Sequence, residues 1–261
     1  MPIKGVLKRV VSAIFAPALL LFSLVAVADR CPGTPQTVIG TVYCDNQFTL
    51  WVNGEQVAHD PVPFTPHQAV RVAFEWDGVS DLIYAIQCED FASDSGYEYT
   101  ASSRPQLGDG ALIASFDDGI GTVTKAEQWR VFTVTFGPTD DSIASGCASD
   151  ALDRCRVEPR PVPDGWMAPD FDDSTWSFAT AYSAFIAGWG RRPSWSSEQG
   201  CCTLTSPLDR SVLGCDTGVP ESACLVPRDV FRGSDAEFIW AADLERDNRV
   251  LFRHTARCGR E

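Results

Sequence analysis

Phe48, Leu50 and Val52 alternate with Gln47, Thr49 and Trp51, and a period of two marks a strand with one face turned to a core. Asn53-Gly54 follows, a dipeptide that tolerates the two positive φ angles of a type I′ turn, so residues 43–58 are expected to form a hairpin. In a two-residue register Leu50 faces Val57, Trp51 faces Gln56, and His59 stands opposite Phe48. Thr37 to Tyr43 reads as the strand leading in. Ala69 to Glu75 resumes the alternation with Val70, Val72 and Phe74 inward, and Trp76-Asp77-Gly78 ends it. Leu82, Tyr84, Ile86 and Cys88 mark the next buried face. Ala111 to Phe116 and Ile120 to Thr124, joined by Asp117-Asp118-Gly119, are expected as a second hairpin, and Trp129 to Phe136 as a further strand.

Between these segments lie stretches that cannot pair. Pro61, Pro63 and Pro66 exclude the loop from His59 to His67 from any central strand. Residues 89–110 form an acidic, glycine-bearing loop, and residues 137–165 and 188–235 are cysteine-bearing insertions. Asp150 to Arg156 could close one helical turn with Ser149 as N-cap, but no long helical periodicity occurs anywhere. Ala236 to Trp240 and Arg249 to Arg253 are the last two strands. The part beyond Trp166 has too few strands to bury a core of its own, so the pattern predicts a single all-β sandwich with long irregular loops.

Composition then sets the compartment. Lys4, Lys8 and Arg9 precede an apolar run from Val10 to Val27 ending in Ala26-Val27-Ala28, which reads as a secretory signal peptide over residues 1–28. Pro17 and the small-x-small ending disfavour the rival reading, an uncleaved membrane anchor. Residues 29–261 carry all ten cysteines, and an even count in an exported chain argues for a disulfide-rich fold. Zinc is the weaker explanation, since Cys-x-x-Cys pairs and a histidine at ligand spacing are missing. Loss of the leader takes the net charge from −14 to −17 and leaves Lys125 as the sole lysine. Such a surface repels nucleic acid and anionic lipid, so neither nucleic acid nor membrane is expected as a partner after cleavage.

Three stretches together carry a resemblance: Asp45 to Gly54, Phe171-Asp-Asp-Ser-Thr-Trp176, and Phe238 to Arg253. They resemble galactose-binding-like jelly-roll domains, such as the sugar-binding and accessory domains of family 2 glycosidases and α-rhamnosidases. The resemblance implies a jelly roll over residues 29–261 whose Asp-Asp-Ser element is structural. The order differs, because the Asp-Asp-Ser and Phe-Arg pieces here follow the Asn-Gly strand, which looks like a circular permutation. A permuted roll would pair Arg249 to His254 near Thr37 to Tyr43, bring the termini together and allow a Cys31–Cys258 disulfide. A local Cys147–Cys155 bridge is also expected, with Cys201 and Cys202 bonding apart, to Cys215 and Cys224.

Candidate chemistry is sparse. The chain has no Gly-x-Ser-x-Gly, no His-Glu-x-x-His and no phosphate-binding glycine loop, so an enzyme is not expected. His59, His67 and His254 each have an ordinary edge-of-strand or loop reading rather than a shared metal site. Asp117-Asp118, Asp140-Asp141 and Asp172-Asp173 stand in turn contexts, where aspartate is common. Glu89, Asp90, Asp94, Glu98 and Asp109 share one loop and could hold calcium, although solvated acids are the better reading and no other cofactor is indicated. Gly188-Trp-Gly-Arg-Arg-Pro-Ser-Trp195 offers flat aromatic faces and planar guanidinium groups of the kind sugar recognition uses. Trp189, Arg191, Arg192 and Trp195 are therefore the candidate ligand-binding residues, although tryptophans that plug a disulfide-rich loop are the commoner case. The reading is a secreted, non-catalytic sandwich, extracellular or periplasmic, that binds an extracellular glycan or surface polysaccharide. The alternative is an extracellular structural or matrix protein in which the acidic face and disulfides provide durability or calcium-dependent assembly; an unrecognised hydrolase comes last.

Overall fold

The computed structural model describes residues 31–60, 69–90, 97–98, 106–139, 156–187, 231 and 233–259. In chain order these form β1 (Gln36–Asp45), β2 (Gln47–Val52), β3 (Glu55–His59), β4 (Val70–Trp76), β5 (Leu82–Glu89), β6 (Tyr97–Glu98) and β7 (Gln106–Leu107). Then come β8 (Ala111–Asp117), β9 (Arg130–Phe136), β10 (Glu158–Pro159), β11 (Ser177–Phe178), β12 (Thr180–Tyr182), the short helix α1 (Ala184–Ala187), β13 (Phe238–Trp240) and β14 (Asp247–Ala256). One sheet has the order β12-β13-β8-β1-β4, and a second has β10-β9-β14-β5-β2-β3, with β11 also on β9. β6 and β7 pair only with each other. The chain is thus an all-β sandwich, as its alternation predicts.

The two sheets face each other through Val38, Val42, Val72 and Leu112 on one side and Leu50, Tyr84, Ile86, Val250 and Phe252 on the other, all fully buried. Each such side chain contributes about 1.5–3 kcal/mol when removed from water, so this layer is the principal source of stability. Tyr84 stacks on Phe116 at 4.3 Å between centroids, an aromatic contact that spans the sheets. Gly40 makes room for it, because a Cβ there would lie 2.5 Å from the Phe116 ring. A Cys44–Cys88 disulfide, which no sequence signal predicted, ties β1 to β5 across the same core.

The opening hairpin forms as expected, with Asn53 at φ 50° and Gly54 at φ 88°. Trp51 faces Gln56, as the register requires. A bulge then shifts the pairing, so Leu50 faces Ala58 rather than Val57, and His59 stands opposite Thr49 rather than Phe48. The extra residue sends Ala58 into the core and leaves Val57 half-buried.

Two other expectations are corrected. Ile120 to Thr124 is not a strand and makes a single bridge, Ser115 to Val123. The Asp118 carboxylate instead accepts from the backbone N–H groups of Ile120 (2.9 Å) and Gly121 (2.8 Å), which a ladder would have needed, while Gly119 and Gly121 adopt positive φ. Nor does Arg249 to His254 pair near Thr37 to Tyr43. β14 inserts between β5 and β9 in the second sheet, whereas β1 pairs with β4 and β8 in the first. The two ends of the sandwich nevertheless meet: Cys31 and Cys258 form a disulfide with Cα atoms 5.2 Å apart. Both ends dock on the turn between β4 and β5, where Gly33 N–H donates to the Gly78 carbonyl at 2.9 Å and Cys258 N–H donates to Asp81 at 2.7 Å. Of the other expected bridges, Cys147–Cys155 and those of Cys201, Cys202, Cys215 and Cys224 lie outside the described residues.

The Cys31–Cys258 bridge closes a loop of sequence separation 227. A double Cys31→Ser, Cys258→Ser variant should keep the strand content seen by circular dichroism yet lose about 2–5 kcal/mol in urea unfolding, chiefly through a less constrained unfolded chain.

Candidate functional site

The second sheet carries apolar side chains on its outer face as well. Trp51, Ala85, Phe132, Val134 and Leu251 project away from the main core and are covered by Trp166 and Trp176. Trp166 meets Trp51 edge-on at 5.3 Å, and Trp176 lies 5.3 Å from Phe132. Residues 163–178 therefore form a third layer, which explains why Ala85 is buried as fully as Tyr84 and Ile86 on either side of it.

That layer holds a buried charge. Arg253, 2 % exposed, projects from the outer face of β14; its Nε donates to Asp173 Oδ2 at 3.0 Å and its Nη1 to the Trp166 carbonyl, and the Phe171 ring lies 5.2 Å away. The Phe171 to Trp176 segment and the Phe252-Arg253 segment, which the sequence singled out separately, are thus one interlocked unit. Asp172 has a local task, accepting from the Ser174 N–H at 3.0 Å to shape the turn that presents Asp173.

Where this unit meets the end of β14, a groove of about 470 Å³ opens. The loop after Asp118 forms one wall, through Ile120 and Thr122, and Phe178 of β11 forms the other. Phe178 is 51 % exposed. The Arg130 guanidinium carbon lies over its ring at 3.7 Å from the centroid and Nη1 donates to the Trp176 carbonyl at 3.0 Å, so both groups are held in place without a carboxylate. Arg253, Arg257 and Gln128 complete the lining.

His254 sits at the inner margin of the groove. Its ring stacks on Trp129 at 5.2 Å and its Nδ1–H donates to the Gln128 carbonyl at 3.0 Å, which leaves Nε2 as an acceptor. Burial pushes its pKa below the ordinary histidine value, outweighing the Gln128 hydrogen bond and the charges of Asp118 and Asp173. Beneath the same wall Tyr84 donates to Asp118 Oδ2 at 2.9 Å, and burial together with that carboxylate holds the phenol well above its usual range. The groove therefore presents a fixed aromatic ring, fixed guanidinium groups and a neutral imidazole, an arrangement suited to holding a polar ligand.

The candidate ligand-binding residues Trp189, Arg191, Arg192 and Trp195 lie outside the described residues, as do His67, Asp94 and the Asp140-Asp141 pair. Of the loop acids considered for calcium, Glu89 is engaged by Gln47 (2.6 Å), Gln87 (2.8 Å) and Arg249 (2.9 Å). Among the described residues no group of three or more His, Cys, Asp or Glu side chains has metal-binding geometry. His59 and His254 lie on different parts of the second sheet, in β3 and β14. Sequence reasoning missed Phe178, Arg130 and Arg257, which come from three distant stretches and carry no motif. Arg130 did offer a faint signal, as a charged residue beside Trp129 at the start of a strand. No family model, no curated protein and no solved structure matches the chain.

Replacing Asp173 with Asn leaves the buried Arg253 charge without its counter-ion and should destabilise the protein by about 1–3 kcal/mol. Adding Arg253→Met to that variant should recover part of the loss, a coupling that chemical denaturation of the double-mutant cycle measures.

A pH dependence follows from His254. In the unfolded chain the imidazole titrates near about pH 6.5, and the fold holds it lower, so the unfolded state takes up the proton first. Its contribution is complete above the unfolded value and is lost as pH falls below it. Asp247, raised by burial, works in the opposite direction. Unfolding free energy measured at pH 7.5 and pH 5.5 should therefore fall less on acidification in His254→Gln than in the parent protein.

Proposed function

We propose that the protein is a secreted, non-catalytic β-sandwich that binds glycans, either free or on a cell surface. The observation that supports this most is the half-exposed Phe178 ring with the Arg130 guanidinium at 3.7 Å, set in a groove of about 470 Å³. Saccharides present an apolar ring face and a rim of hydroxyls, and an aromatic ring beside fixed planar donors complements both. Two disulfides suit an oxidising compartment, and no helix among the described residues is long and apolar enough to cross a membrane. The likeness to galactose-binding-like jelly rolls belongs to the same proposal. It draws support from the Asp173–Arg253 contact, which joins two of the three stretches carrying it. The Trp189 to Trp195 stretch is proposed as a second contact surface on the strength of its residue types.

A glycan array probed with the exported form tests the proposal. The protein should bind a defined subset of glycans, and Phe178→Ala should weaken that binding roughly tenfold, the equivalent of about 1.4 kcal/mol, with little change in melting temperature. The Trp189→Ala, Trp195→Ala double variant should likewise lose retention while melting normally. Absence of binding to every glycan, with calcium-dependent self-association instead, would favour the structural or matrix reading.

A further inference from the structure

We infer that the groove selects an acidic saccharide, one bearing carboxylate or sulfate groups, and that Arg130 and Arg257 are the residues that recognise its charge. The inference rests on the glycan-binding proposal and narrows its ligand class. Three arginines line the groove against one aspartate. Arg253 and Asp173 are committed to each other at 3.0 Å, and they hold the covering layer on the sheet rather than facing a ligand. What remains is the positive charge of Arg130 and Arg257, neither of which ion-pairs with a carboxylate among the described residues, in a chain of net charge −14. His254, held neutral at physiological pH by burial, adds no further charge.

Placement matters as much as sign. Arg130 is stacked on Phe178 and anchored by the Trp176 carbonyl, so its guanidinium is already ordered before any ligand arrives, and the entropy of fixing a long side chain need not be lost on binding. A guanidinium can donate two parallel N–H bonds to a planar carboxylate or to two oxygens of a tetrahedral sulfate, which a lysine cannot. Gln128 and Thr255 line the groove around it and supply neutral partners for hydroxyls. A ring face for Phe178, hydroxyls for these two and an anionic substituent for the arginines together describe a uronate or sulfated sugar. The net negative charge of the chain makes a local pair of arginines, unpaired among the described residues, the more distinctive.

The test compares polymers that share a backbone and differ in charge: polygalacturonate against methyl-esterified pectin, and dextran sulfate against dextran, with inorganic sulfate as a competitor. The expected result is retention of at least one charged polymer with little of its neutral counterpart, reduced roughly tenfold in both Arg130→Gln and Arg257→Gln. Arg257 is exposed, so its variant should fold normally and keeps the test decisive if Arg130→Gln proves unstable. Competition by millimolar inorganic sulfate alone, with no polymer preference, would mean a small-anion site and would overturn the inference. Equal retention of neutral and charged polymers, sensitive to Phe178→Ala but not to either arginine variant, would overturn it while leaving the glycan proposal standing. Retention of none, alongside a glycan array without hits, would remove both.

Discussion

β14 lies between β5 and β9 in the second sheet, and almost every other feature depends on that pairing. A strand with neighbours on both sides and side chains alternating across the sheet can serve two layers at once. Val250, Phe252 and Ala256 point into the space between the sheets, while Leu251 and Arg253 point outward beneath residues 163–178. Its final residues line the groove, and the disulfide at Cys258 ties the segment after β14 to Cys31, ahead of β1. The last strand in sequence is therefore central in space, and no shorter N-terminal piece contains the same core.

The outer layer adds a different kind of stabilisation. Apolar contact of Trp166 and Trp176 with the sheet is unspecific in direction, but a buried guanidinium satisfied by a carboxylate, a carbonyl and an aromatic ring fits only one arrangement. Arg253 thus sets where the covering segment sits, and through Trp176 and Ser177 it sets where Phe178 emerges. The geometry of the groove is a consequence of this packing: β11, which follows the Arg253–Asp173 contact in the covering segment, pairs with β9 so that Phe178 stands opposite Arg130.

Elements defined by local periodicity were legible in the sequence. The hairpin turn at Asn53-Gly54, the buried faces of β4 and β5 and the positions of the last two strands follow from spacing and turn chemistry. What was not legible depends on partners distant in the chain. The bulge at Val57 is a choice between two nearly equal registers, made by packing. Ile120 to Thr124 has strand-like composition, yet Asp118 takes up its N–H groups. The meeting of the termini was anticipated correctly, but through strand pairing between β1 and β14 that does not occur; the ends meet over the β4–β5 turn while those strands lie in opposite sheets. The groove draws on residues near 122, 130, 178 and 257, and only the tertiary fold brings those together.

Native-state hydrogen exchange read residue by residue tests the central placement of β14 most directly. If β14 is an interior strand serving two layers, the amides of Val250 to Thr255 exchange among the slowest in the protein, by the same global opening as those of Tyr84 to Cys88 in β5. Rapid exchange of Val250 to Thr255 while β1, β4 and β5 stay protected would show that the C-terminal strand is a peripheral addition, and would contradict the account.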